Sequence, residues 1–116
     1  MTYTEKNFYI ELKKITDELG YTIIPQLQLQ RIFKPKQNKI IAFNKIKSKS
    51  IDFTIIDENY KYKLFIELDD YTHNYNNRIK RDNFINELFK YYNKDLIRIK
   101  VKDKYDFTEI EEKLKK

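Results

Sequence analysis

Apolar residues near the start of the chain recur with the period of an α-helix. They follow one another at spacings of four, three and four residues: Phe8, Leu12, Ile15 and Leu19. This spacing places them on one face of a helix. Gly20, the only glycine, stands where many helices end in the left-handed conformation. The pattern predicts an amphipathic helix from residue 4 to residue 19.

Four later segments have the alternating, β-branched or aromatic residues that are typical of strands. In residues 21–33, apolar residues alternate with glutamines, and Pro25 restricts the early part to an edge strand or to the entry to a strand. Residues 51–56 and 62–69 are separated by a short polar turn, so they predict a β-hairpin. Residues 96–101 alternate as a further strand.

Two further helices complete the pattern. The first is predicted from Asn76 or Asn77, either of which can cap it, to about Tyr92. Its inward side chains are expected to be Ile79, Phe84, Leu88 and Tyr91 or Tyr92. Residues 106–116 predict a short final helix that ends in lysines.

The order of these elements is α-β-β-β-α-β-α, which predicts one α/β domain over residues 1–116. A helix that crosses between the second hairpin strand and the strand at 96–101 makes these two strands parallel. We therefore expect a small mixed sheet of about four strands, flanked by helices.

Composition limits the classes of function. The chain has no cysteine, which excludes disulfides, thiolate zinc sites and cysteine nucleophiles. It has no signal peptide and no apolar run near the roughly 20 residues of a membrane span, so we expect a cytoplasmic protein away from membranes. The net charge of +6 suits a polyanionic partner such as nucleic acid. A lysine-rich, asparagine-rich composition is also typical of an AT-rich genome, so charge alone leaves both explanations open.

Acidic residues gather where the hairpin strands meet. Glu67 and Asp69 are two residues apart on a strand, so they share one face, and Asp70 points to the other. In an antiparallel hairpin, Asp52 at the start of one strand approaches Glu67 at the end of the next. The three carboxylates repel one another unless a cation, a proton or a basic side chain intervenes. Hard oxygen ligands of this kind suit Mg²⁺. For Asp70 we expect a structural role at the end of the strand.

Four stretches of the sequence resemble the DUF2726 family. They are Ser-Ile-Asp-Phe-Thr-Ile-Ile at 50–56, Phe-Ile-Glu-Leu-Asp-Asp-Tyr-Thr-His at 65–73, Arg-Asp at 81–82 and Leu-Ile-Arg-Ile at 96–99. That family is grouped with the PD-(D/E)xK, or restriction-endonuclease-like, superfamily and is similar to Vsr-type nucleases. The resemblance implies a restriction-endonuclease-like core and a metal-dependent nuclease.

The resemblance also assigns roles to individual residues. Asp52 and Glu67 would hold Mg²⁺ or Mn²⁺, with help from the backbone carbonyl of Leu68. The superfamily pattern then has a lysine two residues after the second acid, where this chain has Asp69. Either another basic residue supplies the missing positive charge, or the domain binds without cutting. Glu5, on the first helix, reaches the same edge in relatives.

Several basic residues are candidates for the missing cation: His73, Arg78, Lys80 and Arg81. His73, the only histidine, can act as a general base or proton donor, or can be a loop residue bonded to backbone. Arg81 can clamp a phosphate with its guanidinium fork, or can pair with the site acids and hold its helix. We expect Asp52, Glu67, Asp69, His73 and Arg81 to be catalytic. Lys49, Arg78 and Lys80 are expected to contact nucleic acid.

These residues lead to a metal-dependent phosphodiester hydrolase that acts on DNA. The alternative is a catalytically inactive nucleic-acid-binding module of the same fold. A third hypothesis is a small interaction protein that uses its tyrosines at an interface. Because the chain is short, specificity is expected to come from a partner protein or from a homodimer.

Overall fold

The computed structural model describes residues 1–33, 46–70 and 75–116, and the side chains of 75–78 lie outside that description. The helices are α1 (Tyr3–Leu19), α2 (Leu29–Ile32), α3 (Tyr75–Tyr91) and α4 (Thr108–Leu114). The strands are β1 (Thr22–Gln28), β2 (Ser50–Ile56), β3 (Tyr62–Asp69) and β4 (Leu96–Lys100). Among these helices there is none with the length and apolar character needed to cross a membrane.

The four strands form one open sheet in the order β1-β2-β3-β4. β2 pairs antiparallel with both β1 and β3, whereas β3 and β4 are parallel. This confirms the predicted mixed sheet, its hairpin and the parallel pair on either side of a helical crossover. β1 is an edge strand, the first of the two positions that Pro25 allowed, because proline has no N–H to donate to a second neighbour.

Helices cover both faces of the sheet and bury two apolar clusters. On one face, α1 and α4 pack Phe8, Leu12 and Ile110 against sheet residues such as Phe53 and Ile66. On the other face, α2 and α3 form a second cluster with residues of β2 and β3: Leu29, Ile32, Phe33, Ile46, Ile51, Phe65, Ile85 and Phe89. The ends of β2 and β3 therefore lie between two helical layers.

Capping residues set the ends of α1. Thr2 is the N-cap, and its side-chain oxygen accepts a 3.2 Å hydrogen bond from the backbone N–H of Glu5. At the other end Gly20 has φ +79°, and its N–H bonds back to the last turn. The helix thus begins one residue before the predicted start and ends where glycine predicted.

The structure corrects the prediction that residues 21–33 stay extended. The strand ends at Gln28, which pairs with Ser50, the first residue of β2, so no partner strand continues beyond it. The chain then turns into α2, in which the Phe33 N–H bonds to the Leu29 carbonyl at 2.9 Å. Leu29 and Ile32, three residues apart, are both buried by this turn.

The structure also corrects the inward face predicted for α3. Ile79 is 40% exposed and Tyr91 is exposed, whereas Ile85 and Phe89 are fully buried. Phe84, Leu88 and Tyr92 pack partly buried around them, as expected. The prediction missed Ile85 and Phe89 and placed Ile79 inward. Three residues after Ile79, the side chain that meets the sheet is the charged Asp82, which pairs with Arg98 of β4.

Ile85→Ala tests this placement of α3. The change leaves a cavity in the second cluster, so the free energy of unfolding should fall by about 2–5 kcal/mol. Ile79→Ala is the matched control, and on the exposed face it should change stability by less than about 0.5 kcal/mol. Urea denaturation measures both variants. A larger loss from Ile79→Ala than from Ile85→Ala would contradict the observed orientation.

Candidate active site

The regular alternation of β2 breaks at Asp52. Ile51 and Phe53 are two residues apart, yet they lie on opposite faces of the sheet. Ile51 is buried in the cluster beneath α2 and α3, and Phe53 in the cluster beneath α1 and α4. A regular strand puts such residues on one face. On the neighbouring strand β1, Gln26 has φ +54°, in the left-handed region. It lies between Pro25 and Leu27, which pair with Phe53 and Ile51. The two strands are therefore kinked side by side at Asp52.

At this kink, side chains replace the backbone ladder between β2 and β3. The paired backbone positions run from Ile56–Tyr62 to Phe53–Ile66. Beyond them, the Asp52 N–H donates to Glu67 Oε1 at 2.9 Å, and the Leu68 N–H donates to Asp52 Oδ2 at 2.8 Å. Each carboxylate thus takes up an amide hydrogen from the opposite strand, and the two acids are held next to each other.

Both carboxyl groups have raised pKa values. Burial raises the pKa of Glu67 to about 7, and the neighbouring Asp52 carboxylate adds to the shift. Burial also raises the pKa of Asp52, the Glu5 carboxylate acts in the same direction, and the hydrogen bond from Leu68 opposes them. Arg81 and Arg98 favour the ionised form of Glu67 but do not cancel the effect of burial. This edge of the sheet therefore favours binding of positive charge.

On the outer side of Asp52, the kinked Gln26 connects the site to α1. Its side-chain amide donates to a carboxylate oxygen of Glu5, and its proximity to Asp52 acts to lower the pKa of that carboxyl group against the effect of burial. The side-chain oxygen of Gln26, Oε1, accepts a 3.2 Å hydrogen bond from the Ser50 hydroxyl. The structure thereby brings Glu5, the acid on the first helix, to the site through Gln26.

On the inner side of Glu67, charges alternate in sign through five residues, which we call the ion-pair chain: Glu67, Arg81, Asp82, Arg98 and Asp69. Arg81 Nη1 lies 3.6 Å from Glu67 Oε2 and 3.5 Å from Asp82 Oδ1. Arg98 Nη1 lies 3.3 Å from the same Asp82 oxygen and 3.0 Å from Asp69 Oδ1. The chain crosses three elements, since its members come from β3, α3 and β4.

Arg98 is placed by the register of the parallel strands, in which it lies beside Glu67 and Lys100 lies beside Asp69. Its Nε donates to Asn86 Oδ1 at 2.7 Å, and its Nη2 to the Asp82 backbone carbonyl at 3.4 Å. Asp82 and Asn86 are four residues apart and share a face of α3. Arg98 therefore fastens that face to the ends of the strands.

The structure brings together the acids that the sequence singled out, Asp52, Glu67 and Asp69. Asp69 is buried against Arg98. Arg81 pairs with Glu67, and its Nη2 also lies 3.4 Å from the Ser50 carbonyl. Leu68 contributes its N–H to Asp52, as described above.

The remaining predicted residues are two lysines that the structure describes and two residues whose side chains lie outside its description. Lys49 Nζ lies over the Phe84 ring, 5.5 Å from its centroid, and Lys80 is exposed on α3. Arg78 falls within α3, but its side chain lies outside the described residues, and so does the whole of His73. The roles of these four residues stay predictions.

Sequence reasoning did not assign site roles to Gln26, Asp82, Asn86 and Arg98. A signal was present for Arg98, an arginine at the centre of an alternating strand predicted to run parallel to the acidic one. Gln26 gave no signal, because a glutamine in an alternating strand is ordinarily a solvent-facing residue. Its site role follows from the kink, which no local pattern announces.

Within residues 1–33, 46–70 and 75–116, no group of three or more His, Cys, Asp or Glu side chains is arranged to hold a metal ion. The acids Asp52 and Glu67 are a pair. Any divalent cation held by them must complete its coordination with backbone carbonyls, water or substrate oxygens, as Mg²⁺ commonly does.

Fold and site together define a class: a mixed α/β domain with one buried and one partly buried carboxylate at the edge of an open sheet where β2 begins and β3 ends. The chain belongs to the DUF2726 family, whose profile carries the description "protein of unknown function" and matches residues 1–116. Neither curated proteins nor solved structures contain a match to the chain.

The pKa of Glu67 predicts how stability depends on pH. The folded-state pKa of about 7 lies above the ordinary value of 4.5, so the folded protein holds this proton more tightly than the unfolded chain. The resulting stability is complete below pH 4.5 and is lost as pH rises through about 7. Its full size is about 3 kcal/mol.

Glu67→Gln should remove this pH dependence, because the amide keeps an acceptor for the Asp52 N–H and does not titrate. Urea denaturation at pH 5 and pH 8 measures the change in the free energy of unfolding. Glu18→Gln, on the exposed side of α1, should keep the wild-type dependence. An unchanged slope in Glu67→Gln would show that another group titrates.

Proposed function

We propose that this domain is a divalent-cation-dependent phosphodiester hydrolase that acts on DNA, with Asp52 and Glu67 as the acids that hold Mg²⁺ or Mn²⁺. One observation carries the proposal: the buried Glu67 carboxylate and the partly buried Asp52 carboxylate are held together by reciprocal hydrogen bonds to the backbone of the opposite strand. Buried like charges are costly unless a counter-charge or a proton joins them. Ordered side chains held in this way suit a site that is built for a cation.

The residues fit a divalent cation. Carboxylate oxygens are the hard ligands that Mg²⁺ prefers, and one oxygen of each acid is already fixed by an N–H. The raised pKa values of both acids mean that added positive charge would relieve an unfavourable arrangement. The Leu68 carbonyl, water and substrate oxygens would supply the remaining ligands. When bound, the ion would polarise the phosphoryl oxygen and neutralise developing charge.

The side chains of the protein have separate tasks in this proposal. Asp52 and Glu67 would bind the divalent cation, and backbone amides of the opposite strands keep their carboxylates in place. Arg81, beside Glu67 Oε2, offers its guanidinium to a phosphate oxygen, for which the planar fork is well shaped. His73, by its place directly after the acidic strand, is proposed as general base or proton donor.

A polyanionic substrate is supported by charge. The chain has a net charge of +6, although its site is acidic, which is the distribution expected when cations on the surface contact phosphates and carboxylates hold metal. Lys49 precedes β2 directly, and Arg78 and Lys80 lie in the helix that carries Arg81. These three residues are proposed to contact the nucleic-acid backbone.

The proposed fold family is the restriction-endonuclease-like, PD-(D/E)xK group, with Vsr-type nucleases as the nearest analogy. An acid at the start of one hairpin strand and an acid at the end of the next, with a helical crossover to a parallel strand, support this assignment. A shared fold does not by itself imply a shared activity, so the acids Asp52 and Glu67 carry the proposed function.

Cleavage of DNA by the purified chain tests the proposal. Plasmid, duplex and single-stranded DNA are incubated with Mg²⁺ or Mn²⁺, and RNA of the same sequence is run beside them. Asp52→Asn and Glu67→Gln should each lower the rate by at least about 100-fold, more than changes around a metal site usually do. Glu18→Gln should cleave like the unchanged protein.

Metal dependence separates this reaction from contamination. Calorimetry should detect binding of Mn²⁺ to the unchanged protein and much weaker binding to Asp52→Asn. Equal cleavage in EDTA, or cleavage that survives both substitutions, would contradict the proposed site.

A second candidate is a nucleic-acid-binding module without catalysis, and the position of Asp69 favours it. This residue stands where the superfamily pattern has lysine, and it is buried against Arg98. The module would bind duplex DNA with affinity that falls steeply as salt rises. Binding that persists in Asp52→Asn, with no cleavage under either metal, would establish this candidate over the first.

A further inference from the structure

Within the ion-pair chain, the exposed fraction of the side chains is highest at Arg81 and falls from there toward Asp69. The side chain of Arg81 is 37% exposed, Asp82 is 20%, Arg98 is 18% and Asp69 is 8%. Glu67, on the other side of Arg81, is 5% exposed. Of the two arginines in the chain, Arg81 is therefore the one whose guanidinium is open enough to meet a substrate. Each further member is more enclosed and contacts its neighbours in the chain at 3.0–3.5 Å.

Asp69, which is 8% exposed, lies at the end of the ion-pair chain opposite to Glu67. It holds Arg98 at 3.0 Å, the shortest of the four ion-pair distances. The Val101 N–H also bonds to the Asp69 backbone carbonyl at 3.1 Å, which continues the β3–β4 pairing past Lys100. Asp69, the last residue of β3, thus binds Arg98 from the middle of the neighbouring strand β4.

Arg98 in turn fixes the helix that carries Arg81. It reaches the Asp82 side chain, the Asp82 carbonyl and the Asn86 side chain, which together span a full turn of α3. Asp82 Oδ1 is shared between Arg98 and Arg81. The position of the Arg81 guanidinium beside Glu67 therefore depends on Asp82 and, through Asp82, on Arg98.

We propose that Asp69, Arg98 and Asp82 are positioning residues which hold Arg81 at Glu67, so that Arg81 supplies the cation that the superfamily pattern assigns to the position of Asp69. This rests on the proposed hydrolase function for its catalytic meaning. The acid at the lysine position is then the anchor of a substitute cation. It holds Arg98 from the adjacent strand, and through Arg98 and Asp82 it holds Arg81 on α3.

This inference predicts that a change at Asp69 reaches Arg81 without touching it. The chain has four arginines, so their side-chain Nε–H signals can be assigned in a ¹⁵N NMR spectrum by single Arg→Lys changes. In Asp69→Asn, the Arg81 signal should shift and show increased mobility, whereas the signal of Arg31, on α2, should stay in place. This measurement needs no enzymatic activity.

The matched control is Asp17→Asn, which breaks an ion pair of the same length, 3.0 Å to Lys13, on the outer surface of α1. It should leave the Arg81 signal unchanged. If Asp69→Asn folds poorly, Asp82→Asn tests the same chain one step nearer to Arg81. An Arg81 signal that ignores both changes would overturn the inference, whatever the activity of the protein.

Kinetics then distinguish positioning from general stability. Asp69→Asn and Arg98→Lys should each lower kcat/KM by about 10–100-fold, as changes around a site commonly do. In an Arg81→Ala background the same changes should lower it by less than about threefold, because the group that they position is gone. Full additive losses in that background would contradict the inference. Absence of any cleavage by the unchanged protein would refute the hydrolase proposal and leave the NMR result to decide the placement of Arg81.

Discussion

The molecule depends on two carboxylates that take the place of backbone hydrogen bonds. Where the ladder between β2 and β3 ends, Asp52 and Glu67 each accept an amide hydrogen from the opposite strand. An amide left without a partner at this buried position would cost about 1–3 kcal/mol, so the acids keep the strand ends together. Their charge is then a constraint on everything nearby. Gln26, Glu5 and the arginines of the ion-pair chain all lie close enough to shift the pKa values of these two acids.

The pairing of Asp52 with Glu67 could be predicted because it follows from local rules. Strand alternation and a short turn place the start of one hairpin strand beside the end of the other. The parallel position of β4 followed from the crossover rule. The register of β4 against β3 did not, because it depends on how a whole helix packs between them. Arg98 could be assigned to a strand from sequence, but its contact with Asp69 needed the register.

Helix α3 shows why a polar pattern can be misread. One of its faces packs Ile85 and Phe89 into the core, and another turns Asp82 and Asn86 toward Arg98 of the neighbouring strand. Hydrophobic periodicity assumes that the inward face is apolar. That assumption fails where a helix faces a charged edge, so Ile79 was placed inward. Local periodicity also missed α2. The chain turns into this helix where β1 loses its partner, because β2 begins at Ser50, opposite Gln28.

The kink in β1 has a consequence for the free edge of the sheet. An exposed edge strand offers a row of backbone donors and acceptors on which another chain can add, and unprotected edges of this kind lead to aggregation. Here Pro25 lacks an N–H, and the left-handed Gln26 next to it turns the backbone out of the extended form. The distortion that carries Gln26 to Asp52 thus also interrupts the template for edge-to-edge growth.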